Sequence, residues 1–144
     1  MSEQLNIFGY ASVLNIQFAR TATLVDIGER VSAGLELASL EHAQSVIAPG
    51  DNEFRRRIVS PSSLKRRKAS NRLSAAESQR LSRSARVWAA ALDVYQNENQ
   101  VRRFIGKPHP LLNNRAPIDV AIESDEGCRA AEDVLLGLKH GTAA

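Results

Sequence analysis

One long helix constrains what the rest of this chain can do. Ser74-Ala-Ala-Glu77 has the spacing of a capping box, in which the serine hydroxyl and the glutamate carboxylate satisfy each other's exposed backbone N–H groups. Behind it Leu81, Ala85, Trp88, Leu92 and Tyr95 recur at steps of four, three, four and three, which is the period of a single helix face. Arg80, Arg83 and Arg86 lie largely off that stripe. The pattern predicts a core helix with Trp88 as its central plug. A chain of 144 residues is long enough for one sizeable core, or for two small helical lobes sharing one.

Shorter helices flank it. Residues 24–48 carry apolar side chains near helical spacing, with Gly28 and Gly34 marking a weak point and a break near residues 32–34. After Pro49-Gly50, Asp51 can cap a helix over 52–58. Ser60 and Pro61 suit the N-cap and first position of another over 61–70. The segments 39–47, 52–58 and 61–70, joined by tight connections, have helix-turn-helix anatomy with the last as recognition helix. Beyond the core helix, 97–105 reads as helix, 108–117 as an ordered loop built on three prolines and the Asn113-Asn114 turn, and 117–121 as one helical turn. Ser124 caps a final helix whose inner stripe is Cys128, Ala131, Leu135 and Leu138, and Gly141 stops it. Near the N-terminus Leu14, Ile16 and Phe18 alternate with polar or small residues, a strand-like pattern in an otherwise helical chain. The expected fold is all-α, with a short N-terminal strand or arm over 1–22 that contacts a second copy, a helix-turn-helix domain over 23–72 and a small helical domain over 73–144.

Charge is unevenly spread. Residues 55–86 hold 11 cations and one acid, Glu77, whereas both flanking segments are net acidic. Such a band is an electrostatic footprint whose commonest partner is nucleic acid, the alternative being a solvated basic helix face. Its expected contacts are Arg55, Arg56 and Arg57 on the phosphate backbone, and Ser60, Ser62, Ser63, Lys65, Arg66, Arg67 and Lys68 from the recognition helix, with Leu64 turned inward. One Trp, two Tyr and four Phe are too few for a base-stacking sheet, so RNA is the weaker partner.

Catalysis has no support in the sequence. His42, His109 and His140 fall in three separate elements, without HxxH or HExxH spacing. Glu132 and Asp133 are adjacent on a helix and point in different directions. Cys128, the single cysteine, sits among alanines and reads as a packed core thiol. No phosphate-binding glycine motif is present, and neither metal nor cofactor is expected. With no apolar run of membrane-spanning length and no basic, apolar leader at the N-terminus, the expectation is a cytoplasmic protein without a membrane partner.

Leu64-Lys-Arg-Arg-Lys68 and Leu73-Ser-Ala-Ala-Glu-Ser-Gln-Arg-Leu81 are similar to the central segment of the Xre/MbcA/ParS antitoxins. The resemblance continues, in order, through Phe104-Ile105, Pro108, Leu111-Leu112, Pro117-Ile-Asp119, Glu126-Gly127, Val134-Leu135 and His140-Gly141. Phe104-Ile105 stands where that family commonly has Trp-Leu, and Asn113-Asn114 replaces a glycine-rich turn. The resemblance implies a bacterial type II antitoxin, with an Xre-like helix-turn-helix domain followed by a helical toxin-binding domain. Its partners would be a RES-type toxin that consumes NAD, operator DNA and a second copy in a homodimer. Carried over by position, Lys139, His140, Gly141 and Thr142 would enter or border the toxin's active-site mouth, with Leu135 and Leu138 docking beside it. The competing reading is a stand-alone helix-turn-helix regulator whose distal part dimerises or binds a small ligand.

Overall fold

The capping box forms as the sequence predicts. Ser74 Oγ accepts from the Glu77 N–H at 3.1 Å, and Glu77 Oε1 accepts from the Ser74 N–H at 2.8 Å. In the computed structural model, which describes residues 2–17 and 23–141, the helix launched by this box is α6, Ala75–Tyr95. Before it come α1 (Ser2–Val13), α2 (Leu24–Ala33), α3 (Leu37–Ile47), α4 (Asn52–Ile58) and α5 (Pro61–Ser70). After it come α7 (Glu98–Ile105), a 3-10 turn at Pro110–Leu112, α8 (Pro117–Glu123) and α9 (Asp125–Lys139). The described residues form no strand or sheet, only two isolated backbone bridges, Glu36 with Arg72 and His109 with Arg115.

α6 is the shared wall. α1, α2, α3 and α4 pack on it from the N-terminal side of the chain, and α7, α8 and α9 from the C-terminal side. Their apolar faces meet in one cluster, with Trp88 at 1% exposure among its largest buried side chains. The Arg102 guanidinium lies 5.4 Å from the centre of the Trp88 ring, a cation–π contact that covers the tryptophan from α7.

The helix expected over 24–48 breaks where its glycine allows. Gly34 takes φ +98°, and a Cβ there would stand 2.6 Å from the Leu73 carbonyl. The strands of chain on either side of that approach are tied together. Leu73 N–H donates to Leu35 O at 2.8 Å and Arg72 Nη1 to Gly34 O at 2.6 Å. The helix-turn-helix segment is thus closed on itself before α6 begins.

The N-terminal expectation is corrected. No strand runs through Leu14 and Ile16; α1 occupies Ser2–Val13 and packs on α6, with Tyr10 hydroxyl hydrogen-bonded to Ser82 Oγ. Asn15 turns left-handed at φ 56°, and the Ile16 N–H returns to Ala11 O at 2.9 Å, so Leu14 and Ile16 are buried by a helix-ending turn. With no neighbouring strand to pair with, the backbone satisfies its donors within the helix and its cap. Phe18 lies outside the described residues.

Candidate functional site

α4 and α5 are set at the chain's surface by successive caps. Asp51 accepts from the Glu53 N–H at 2.9 Å to start α4, which turns Phe54 and Ile58 into the core. Val59 is extended and buried, and Ser60 then caps α5 by accepting from the Ser63 N–H at 3.3 Å, with Pro61 at the first turn. Asn71, left-handed at φ 58°, ends α5. α5 buries no residue completely; Leu64 is half-buried as its inward anchor. Apart from Leu64, Ser63 and Arg67, the helix is exposed, which suits an element that reads a groove.

The cations divide into two groups. Lys65, Arg66 and Lys68 are exposed, and among the described residues the only bond within this trio's reach is Arg66 Nη2 to Ser63 Oγ at 3.2 Å. Ser60 and Ser62 are exposed beside them and Ser63 is half-exposed, so hydroxyls and cations together make up the open surface of α5. Arg67 departs from the expected disposition. Its Nε and Nη2 fork onto Glu77 Oε1 and Oε2 at 2.7 and 3.2 Å, a bidentate pair directed back toward α6.

The three arginines of α4 also differ from one another. Arg55 donates to Gln44 Oε1 at 2.9 Å, and Arg57 is bonded to Asp119 of α8. Arg56 remains outward, with only a long, exposed pairing to Glu53 at 3.5 Å. Further along the band, Arg80 caps the Ile58 carbonyl at 3.0 Å and Arg83 the Ala121 carbonyl at 2.8 Å, while Arg86 reaches Glu132 at 2.6 Å. These arginines satisfy helix-end carbonyls and carboxylates within the fold. Arg56, Lys65, Arg66 and Lys68 are therefore the cations of the band that stand most freely outward, joined by the exposed Arg72, whose bond to the Gly34 carbonyl leaves its charge uncompensated.

Glu77 is 4% exposed, and two opposing influences act on its carboxyl. Burial pushes its pKa up, but the Arg67 hydrogen bonds, the Ser74 N–H and the Arg67 charge outweigh it, and the net position is below the ordinary carboxylate range. Sequence reasoning assigned Glu77 only to the capping box. The available signal was its position as the sole acid among eleven cations.

A second feature lies at the far end of the molecule. Tyr95, Phe104, His109 and Leu138 line an open cleft of about 640 Å³, with Arg103 and Lys107 at its rim. Phe104 is tilted against Tyr95 at 5.6 Å between ring centres and meets His109 edge-on at 6.2 Å. His109 Nδ1 accepts from the Leu111 N–H at 3.1 Å, and Asn113 and Asn114 take φ 56° and 60° to turn the loop beneath it. Leu111 and Leu136 stay exposed nearby, on elements that touch each other.

The C-terminal residues expected to meet a partner are distributed unequally around this cleft. Leu135 is 1% exposed and belongs to the core, as its place on the inner stripe of α9 requires, so it is withdrawn as a docking residue. Leu138 lines the cleft. Lys139 donates to Asp93 at 2.6 Å, His140 closes the helix by donating its N–H to Leu136 O, and Gly141 turns left-handed at φ 71°. His140 and Gly141 are exposed; Thr142 lies outside the described residues.

The one cysteine and the metal-ligating residue types are placed as follows. Burial pushes the Cys128 thiol up to about 12, and its sulfur points at the Arg83 carbonyl, so it is not a thiolate at neutral pH. Among the described residues no group of three His, Cys, Asp or Glu side chains could hold a metal ion, and no helix is long and apolar enough to cross a membrane.

Residues 26–86 match the family model described as the antitoxin Xre-like helix-turn-helix domain. The match covers α3, α4 and α5 entirely and ends inside α6; the distal residues 104–141 that share the resemblance lie beyond it. Comparison with curated proteins returned no match. The segment's likeness supports a DNA-binding, antitoxin-type regulator.

Proposed function

From a helix-turn-helix of antitoxin type as premise, we propose that this chain neutralises a RES-type, NAD-consuming toxin and represses its own operon. The observation that carries the DNA half is the outward face of α5, where Ser60, Ser62, Ser63, Lys65, Arg66 and Lys68 stand together on a segment similar to antitoxin helix-turn-helix domains. Hydroxyls and cations so placed can bond base edges and phosphates at once. Arg56 adds a backbone contact from α4. Residues 23–72 read the operator, residues 73–144 take the toxin, and two copies pair to match a two-fold operator.

For the toxin half, Leu138 lines the aromatic cleft, and His140 and Gly141 beyond it are exposed. Exposed residues at the end of a helix can approach an enzyme pocket that a broad globular face cannot. Lys139, His140, Gly141 and Thr142 act there, and Leu138 with the cleft rim supports them.

The test is growth and cellular NAD on expressing the neighbouring gene alone, with the full chain, and with a chain ending at Leu138. Rescue by the full chain and loss of rescue by the truncation are expected. Equal rescue by both would move inhibition to the helical face. A neighbour harmless on its own would leave the stand-alone regulator, a reading that the 640 Å³ cleft favours as a ligand site.

Arg66→Ala is expected to weaken operator binding on the order of ten- to a hundredfold, the worth of one bidentate base contact, and to leave toxin rescue intact. Band-shift titration of the upstream duplex at fixed salt measures it, and unchanged affinity would remove Arg66 from the reading face.

A further inference from the structure

We infer that Arg67 and Glu77 form a clamp that sets the angle of α5 on α6, so that a glutamate touching no nucleic acid controls operator affinity. The inference rests on the DNA-binding reading and goes beyond it by taking Arg67 off the DNA and assigning Glu77 a positioning role.

Three observations converge. First, α5 buries none of its residues fully and is held inward by the half-buried Leu64 alone among its apolar side chains. An element so lightly packed is oriented by its polar ties. Second, the tie is geometrically specific. Arg67 engages both carboxylate oxygens, and Glu77 Oε1 is also fixed by the Ser74 N–H at 2.8 Å. The carboxylate therefore cannot swing away without undoing the first turn of α6. Third, the carboxylate end of the pair is withdrawn from solvent. The Glu77 side chain is 5% exposed and that of Arg67 23%, whereas Lys65, Arg66 and Lys68 stand in solvent. A reading helix must be held within a fraction of an ångström for its base contacts to register, and rigid supporting bonds provide that.

The clamp also connects to the chain's other end of the motif. Asn71, one helical turn beyond Arg67, donates its N–H to Arg67 O and accepts from the Leu37 N–H at 3.3 Å. Tilting α5 about Leu64 would strain the start of α3 as well as the start of α6. The position of α5 is thus set from both neighbours, with Arg67 at the junction.

The two roles for Arg67 predict opposite signs. As a phosphate ligand, Arg67 would bind DNA better once released, so Glu77→Gln would tighten binding, and Arg67→Gln would lower the salt slope of log K by about one. As half of a clamp, either substitution loosens α5.

The measurement uses the full chain with a labelled duplex from upstream of its own gene, titrated across a salt series. Glu77→Gln and Arg67→Gln are each expected to weaken binding about tenfold or more with the wild-type salt slope, and the double variant is expected to be no weaker than either alone. Arg67→Lys keeps the charge but not the fork, so it is expected to weaken binding too, and it guards against a Glu77 variant that fails to fold. Toxin rescue by each variant reports that the remainder of the chain is intact. Tighter binding by Glu77→Gln, a reduced slope in Arg67→Gln, or wild-type affinity in Arg67→Lys would each overturn the clamp while leaving DNA binding standing. Failure of the wild-type chain to bind the duplex would instead remove the DNA-binding reading on which the clamp depends.

Discussion

Trp88→Ala is expected to lower folding stability by about 3–5 kcal/mol, the range for deleting a fully buried large aromatic side chain. The indole is 1% exposed, sits midway along α6, and carries the Arg102 guanidinium over its face. Helices from both sides of the chain pack on α6, so the void cannot close by shifting a single neighbour. Domains have only about 5–15 kcal/mol to lose, and this one change would take a large share. Thermal or urea unfolding checks it, with the midpoint expected to fall on the order of 10 °C. Trp88→Phe should recover most of the loss. A variant that melts with the parent would show that Trp88 does not plug the core.

Gly127→Ala is expected to destabilise by about 1–3 kcal/mol or more, against the usual sign for a helical glycine. Glycine within a helix ordinarily costs roughly 0.5–1 kcal/mol relative to alanine, so the exchange usually stabilises. Here a Cβ would stand 2.0 Å from the Val120 carbonyl oxygen and 2.6 Å from its carbon, both backbone atoms that no rotamer change can move. Gly127 lies in the first turn of α9, where its N–H is already committed to Ser124 Oγ at 2.9 Å. Relief requires α8 and α9 to part. Gly28→Ala is the matched control, because nothing lies within 4 Å of a Cβ there. It is expected to stabilise slightly. Denaturant titration of the two variants side by side decides the matter; a Gly127→Ala variant as stable as the parent, or more so, would mean that α8 and α9 tolerate separation.

Most helices were legible because their signals are local. Ser74 with Glu77, Asp51, Ser60 with Pro61, and Ser124 cap the helices that their types and spacing announce. The N-terminus was misread because alternation over Leu14, Ile16 and Phe18 is too short to separate a strand from the turn that ends α1. At the candidate site, residue types were legible and partners were not. Arg57 meets Asp119 from 62 positions away, and nothing near either residue signals the pairing. The long basic band therefore overstated the charge facing outward. Leu135 was claimed both by the inner stripe of α9 and by the partner surface, and burial gives it to the stripe. Gly127 stood out only as part of a resemblance, since close approach of two backbones leaves no trace in hydropathy.

The double-sided packing of α6 also bears on how such a chain can be rebuilt by recombination. The family match stops at residue 86, two positions before Trp88 and well inside the helix. A crossover there, or at residue 73, would graft a foreign half-helix onto neighbours shaped for another. The natural seam is Gln96, where φ of 53° ends α6 and the next helix starts from a fresh cap at Asn97. Segments exchanged after that point keep the fold provided that the apolar faces of α7, α8 and α9 stay against α6. On the proposed reading, partner choice and operator choice could then be inherited separately, although the two halves fold around one helix.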